Sequence, residues 1–257
     1  MRIHSVHKLI EHRHSISTKA FNARGSKVVR CQYCQIAKIY CICPYQPDID
    51  SNVSALILMS KNEVLKPSNT GRLIADVIKD TYTFQWNRTE PEKELIALLS
   101  STCYQPIIVF PEEYVIDSKR VLEHSDLVTL TAKPGGKRLL LVFIDSSWRE
   151  SRKIFRKSPY LDSLPVVSIK PDIMSQYVMR KSDNENHLST AEVANIILEM
   201  VGEDKAAHNL RLWFELFRES YLLTKTRMGA DLSRPALANY VALTNHVAST
   251  NYVALTA

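Results

Sequence analysis

Apolar residues along the middle of this chain fall in short unbroken runs, separated by stretches in which apolar positions recur every three or four residues. The runs at 55–59, 106–110, 139–144 and 166–169 have strand length and little polar alternation, and Tyr82-Thr83-Phe84-Gln85-Trp86 reads as a further strand, which together predict mostly strands buried on both faces. Helical spacing fills the intervals. Leu73, Ile74, Val77 and Ile78 share one face of a helix over 71–79, and further helices are expected near 92–101, 147–157, 190–201 and 205–224. Strands alternating with helices predict an α/β fold, a mostly parallel sheet with helices on both faces. In such a sheet the ligand crevice lies beyond the carboxyl ends of the strands. The loops expected there, 60–70, 111–113, 145–148 and 170–172, are all polar or charged. Near the end, Trp213, Phe217 and Tyr221 at four-residue spacing read as a core stripe and not as a base-stacking platform.

With 257 residues, 45% of them hydrophobic, the chain can bury one large core. Only six glycines are present, and neither G-x-G-x-x-G nor G-x-x-x-x-G-K-[ST] occurs, which argues against a dinucleotide or nucleoside triphosphate cradle. Four of the five cysteines stand close together as Cys31-x2-Cys34-x6-Cys41-x-Cys43. Thiolates at this spacing suit a closed tetrahedral zinc site of the structural kind, with no position left for substrate. An iron–sulfur cluster would use the same ligands, and four reduced thiols are the simpler alternative. Cys103 stands alone and reads as ordinary packing.

Ahead of this knuckle, residues 1–30 hold seven Lys or Arg against one acid, a net +6 that equals the net charge of the whole chain. Basic character is therefore localised, as expected of a protein that meets phosphate backbones. His4, His7, His12 and His14 also lie here and read as solvated arm residues. No apolar run of signal-peptide length lies near the N-terminus, and none of roughly eighteen residues occurs anywhere. With reduced cysteines, the expectation is a cytoplasmic protein with no membrane partner.

Lys66-Pro67-Ser68-Asn69-Thr70-Gly71-Arg72-Leu73, Val109-Phe110-Pro111, Asp145-Ser146-Ser147-Trp148 and Ser189-Thr190-Ala191-Glu192 follow the knuckle in that order. Together they resemble the DTW-domain family, whose members are tRNA-uridine aminocarboxypropyltransferases. The resemblance covers roughly residues 30–229. It implies a fold related to the knotted SPOUT methyltransferases, S-adenosylmethionine bound among the post-strand loops, and tRNA, not DNA, as the partner. The middle of the namesake motif is Ser-Ser where the family has a small residue and Thr, and Ser147 keeps the hydroxyl.

Under this resemblance Asp145, at the end of an apolar strand, is the candidate base for a uridine N3, and a helix cap is its alternative role. Trp148 is the candidate stacking group, with core packing as the alternative. Asn69, Thr70, Arg72, Phe110, Pro111, Ser147, Thr190 and Glu192 are expected around the cofactor. Arg72 would face its carboxylate or an RNA phosphate, while Thr190 and Glu192 also fit a helix start. Arg149, Arg152, Lys153 and Arg156 recur on one helical face and, with Arg24, Lys27 and Arg30 of the arm, form a candidate phosphate track. The organisation expected is a basic arm (1–29), a zinc knuckle (30–47), a catalytic domain (48–229) and a tail with three copies of a six-residue repeat (230–257), read as dispensable. Two other classes share these features, an S-adenosylmethionine-dependent RNA methyltransferase and a non-catalytic zinc-knuckle RNA-binding protein.

Overall fold

The computed structural model describes residues 1–18, 28–131, 136–169, 188–224 and 231–244. Its sheet consists of β1 (Ser54–Met59), β2 (Thr81–Gln85), β3 (Tyr104–Val109), β4 (Val121–Leu122), β5 (Arg138–Asp145) and β6 (Val166–Val167). The strand order is β2-β1-β5-β3-β6-β4, and every neighbouring pair is parallel. The helices are α1 (Ser5–Ser15), α2 (Gly71–Val77), α3 (Lys93–Leu99), α4 (His124–Thr131), α5 (Trp148–Arg156), α6 (Thr190–Met200), α7 (Asp204–Leu222) and α8 (Pro235–Thr244).

Successive side chains of a strand point to opposite faces, and here both faces are covered. Ala55, Ile57, Met59, Ile107, Val109, Leu141 and Phe143 pack with residues of α1, α2, α6, α7 and α8. Leu56, Leu58, Ile108, Leu140, Val142 and Ile144 pack with Leu95 and Leu99 of α3 and with Ile154 and Phe155 of α5. This double burial is why the strands read as continuous apolar runs. Trp213, Phe217 and Tyr221 of α7 lie inside the first of these layers, as core.

Four elements escape the apolar pattern, among them α4 (His124–Thr131), where no helix is expected. The inward side of α1 is largely polar, with His7 and Arg13 buried beside Val6 and Ile10, so helical periodicity in hydrophobicity is absent. Strand β4 has two residues, too few for any period to show. Helix α8 is another, and it draws the first repeat copy (239–244) into the fold: Tyr240 is buried and its hydroxyl donates to the Tyr45 carbonyl at 2.9 Å. The other two copies lie outside the described residues, as do Arg24, Lys27 and the loop 170–172. Residues 170–187, between β6 and α6, lie outside the described residues. None of the described helices is long and apolar enough to cross a membrane.

Candidate active site and metal centre

Strands β1, β5 and β3 are adjacent, with Met59 paired to Asp145 and Val109 to Phe143, so the segments leaving their carboxyl ends emerge side by side. Asp145, the last residue of β5, is buried. Its carboxylate accepts hydrogen bonds from the Asn69 side-chain amide and, at 2.6 Å, from the Thr190 hydroxyl. Three separate sequence motifs thus meet at one carboxylate. Asn69 also accepts from the Arg72 backbone N–H at 3.0 Å, fixing the first turn of α2. The arrangement demands a glycine below it. A Cβ on Gly71 would lie 2.6 Å from Asp145 Cγ, inside any allowed contact.

Asp145 does not cap the following helix; Ser147 does, accepting from the Glu150 N–H. Ser189 caps α6 in the same way, and Glu192 completes the capping box by accepting from the Ser189 N–H at 2.7 Å. That box sets the start of α6 and so the position of Thr190. Thr70 is buried at the N-cap position of α2.

One residue of the site carried no sequence motif of its own. Glu63, in the loop after β1, is buried, pairs with Lys66 at 2.7 Å and accepts from Asn69 at 3.3 Å. The Asn69 amide therefore bridges two carboxylates, Glu63 and Asp145. An acid three to six residues ahead of Lys66 and Asn69 was the available signal, but loop acids are ordinarily solvated.

An aromatic wall closes the other side. Phe110, just past β3, stacks on Phe155 (centroids 4.3 Å apart) and on Trp148 (5.9 Å), and Tyr114 meets Trp148 edge-on at 5.6 Å. Trp148 and Tyr114 are half-exposed, with Pro111 between Phe110 and the turn that carries Tyr114. On α5, Arg149, Lys153 and Arg156 are exposed, and Arg152 lies over the Tyr114 ring at 5.8 Å. The basic face of this helix thus borders the aromatic wall. A cleft of about 570 Å³ lies elsewhere, between α1 and the edge strand β2, and contains none of the motif residues.

The four cysteines come together as expected. The Sγ atoms of Cys31 and Cys43 are 3.6 Å apart and those of Cys34 and Cys41 3.7 Å, with all four inside 4.8 Å of one another. A tetrahedron with zinc–sulfur bonds of 2.3 Å has edges of about 3.8 Å, so the donor set and its spacing fit a divalent ion. Mutual hydrogen bonding pushes the Cys31 thiol down and the Cys43 thiol up, because four crowded sulfurs cannot all ionise without a cation among them. The turn that carries them relies on Gln35 at φ 59°, on Cys31 N–H donating to Ile36 O at 2.8 Å, and on the fully buried Ile36 and Ile42.

Two expectations are corrected, those for His4 and His7 and that for Cys103. His4 and His7 are not solvated: both are buried, their rings stacked 3.7 Å apart. His4 Nε2 pairs with Asp76 at 3.0 Å, and His7 meets Tyr33 of the knuckle edge-on. Burial, then the neighbouring His4, pushes the His7 imidazole down to about 4, so it is neutral at neutral pH. One ligand atom from each of His4, His7 and Asp76 lies within 4.8 Å of the others, but Asp76 already accepts from Gln46 and Trp213, and His7 Nδ1 accepts from the His4 backbone N–H, so the three side chains form a buried hydrogen-bond network. Cys103, expected to pack, is exposed. Arg30 is half-buried, bound to the Gln35 carbonyl and set over Tyr221. Arg72 is turned inward, 2% exposed, with its guanidinium 4.7 Å from the Phe217 centroid and donating to the Pro67 carbonyl.

Comparison with known proteins gives the family. A family model described as the DTW domain matches residues 28–222. A protein of Macaca fascicularis named tRNA-uridine aminocarboxypropyltransferase 2 is 24% identical over 179 residues, covering 66% of this chain and 56% of its own length. Its Mus musculus namesake is 24% identical over 176 residues with the same coverage. The chain thus spans about half the length of the curated relatives it matches. No solved structure matches. Knuckle, Asn69, Asp145, Trp148 and Thr190 all fall within the matched span, and the chain belongs to the DTW-domain family.

Proposed function

We propose that the chain transfers the 3-amino-3-carboxypropyl group of S-adenosylmethionine to N3 of a uridine in tRNA, with the variable loop as the target region. The observation that carries this reading is the convergence of Asn69, Asp145 and Thr190 beside a half-exposed aromatic wall, in a chain of this family. The donor arrives as a sulfonium, so the carbon to be transferred is already activated, and methylthioadenosine is the by-product. Positioning and one proton acceptor are then what the protein must add.

The Asp145 carboxylate is the acceptor for the N3 proton. As the C–N bond forms, that proton passes to Asp145 and the electron pair of the breaking C–S bond stays on sulfur. Asn69 and Thr190 each hold one carboxylate oxygen, fixing the aim of the acceptor. Thr70, Phe110, Pro111, Ser147 and Glu192 frame the donor, Trp148 and Tyr114 offer stacking faces to adenine or to the flipped uracil, and the basic face of α5 receives the tRNA backbone. The SPOUT-like threaded path belongs to this same reading.

Mass spectrometry of tRNA nucleosides, together with identification of the by-product, tests it. Purified protein with S-adenosylmethionine and tRNA should yield aminocarboxypropyluridine and methylthioadenosine. Appearance of S-adenosylhomocysteine would mean methyl transfer, and tRNA binding without affinity for S-adenosylmethionine would leave only an RNA-binding module.

A further inference from the structure

Arg72 poses a problem of charge. A guanidinium stays ionised in a protein, yet this one is 2% exposed, its Nε has no hydrogen-bond partner, and among the described residues no carboxylate lies within ion-pair distance. Asp76, one turn further along α2, already accepts from His4, Gln46 and Trp213. Asp76 and Arg72 act on each other electrostatically, but Asp76 is also engaged by three other groups, and a buried charge is costly to the extent that its surroundings do not offset it.

The surroundings lead to the cysteine knuckle by two routes. On one side Arg72 lies on Phe217, which packs at 6.1 Å on Tyr221, and Tyr221 carries Arg30, the residue next to Cys31. On the other, Asp76 holds His4, His4 stacks on His7, and His7 meets Tyr33, which sits between Cys31 and Cys34. Four thiolates around one divalent ion carry a net charge of about −2, whereas the same four as thiols carry none.

We propose that Arg72 is a positioning residue for the knuckle, the buried countercharge of the metal–tetrathiolate centre, and that through the first turn of α2 it ties metal occupancy to the aim of Asp145. The Arg72 backbone N–H donates to Asn69 Oδ1 and the Asn69 amide donates to Asp145, so the stretch of α2 backbone that carries the guanidinium is joined to the carboxylate through one side chain. Burial lowers the Arg72 pKa while Cys34, Asp76 and Cys43 act against that fall, in line with thiolate charge acting at Arg72. The proposal holds whichever reaction the site performs.

Chelator competition for zinc with purified full-length protein is the test, with Arg72→Leu and Arg72→Lys compared to wild type. Loss of an outer contact to a metal site costs about 10- to 100-fold in affinity. Arg72→Leu should show that loss, and Arg72→Lys, which keeps the charge, should restore most of it. Without metal the order should reverse, since Arg72→Leu removes an uncompensated charge and should melt no lower than metal-free wild type. Cobalt substitution adds a spectroscopic reading, because the thiolate charge-transfer bands should persist in Arg72→Lys and weaken in Arg72→Leu at equal cobalt. Should Arg72→Leu fail to fold, Arg72→Gln takes its place in each comparison. Unchanged zinc affinity in the neutral variant, or equal losses in the neutral and Lys variants, would overturn the proposal. Loss of S-adenosylmethionine binding at wild-type zinc affinity would overturn it too, returning Arg72 to the ligand.

Discussion

A single methyl group at position 71 would displace the Asp145 carboxylate. Gly71 faces the carboxylate so closely that an added Cβ would stand 2.6 Å from both Cγ and Oδ2, and the carboxylate cannot retreat without releasing Asn69 or Thr190. Gly71→Ala is therefore expected to fold but to slow transfer by about 100-fold, the scale of a misplacement near 1 Å at a reacting group. Asp145→Asn makes the complementary cut. It keeps the shape and removes the proton acceptor, so S-adenosylmethionine should still bind while transfer falls by at least ~100-fold. Single-turnover transfer with radiolabelled donor, run alongside donor affinity, measures both. Wild-type turnover in Asp145→Asn would reduce the residue to a structural carboxylate.

At the scale of the element, α5 is the place where a basic helical face and the aromatic wall meet. Its inward face is Ser151, Ile154 and Phe155, and its exposed residues include Arg149, Lys153 and Arg156. Each phosphate neutralised contributes about 0.7 to 0.9 to the slope of log affinity against log salt. Replacing these three residues by Gln should therefore lower that slope for tRNA by about 2, without moving S-adenosylmethionine affinity. An unchanged slope would make the face merely solvated.

What the sequence disclosed at this scale follows from how each element is buried. Strands covered on both faces had to be continuously apolar, so β1, β3 and β5 were legible to within two residues. Helix α1 was not, because hydrogen bonds bury His4 and His7 there, and polar atoms satisfied by partners far along the chain leave no mark in a hydrophobic pattern. The inward turn of Arg72 was hidden for the same reason: an Arg after a polar loop reads as a ligand contact until Phe217, 145 positions away, is placed beneath it. The cysteine cluster and Asp145 were legible because their chemistry is local, four thiols in thirteen residues and an acid at a strand end.

At the scale of the whole molecule, three segments outside the alternating core close over the same layer of it. Helix α1 brings Val6 and Ile10, the knuckle brings Ile36 and Ile42, and α8 brings Tyr240, all into the cluster that contains Leu73, Trp213 and Phe217. Tyr240 joins two of these segments, since its ring lies 5.7 Å from Trp213 and its hydroxyl donates to Tyr45, two residues past Cys43. Its removal should therefore be felt in two places. Tyr240→Ala empties a large core position, an event that costs about 3 to 5 kcal/mol for aromatic side chains, and Tyr240→Phe gives up only a hydrogen bond worth about 1 kcal/mol. Urea unfolding should rank the variants in that order. The same truncation frees the chain just after Cys43, so zinc should pass to a chelator faster from Tyr240→Ala than from wild type, with Tyr240→Phe between them. If stability falls but release does not quicken, α8 props the core alone and the knuckle stands independently of it; if both change together, the helix beyond residue 229 is part of what holds the metal centre in place.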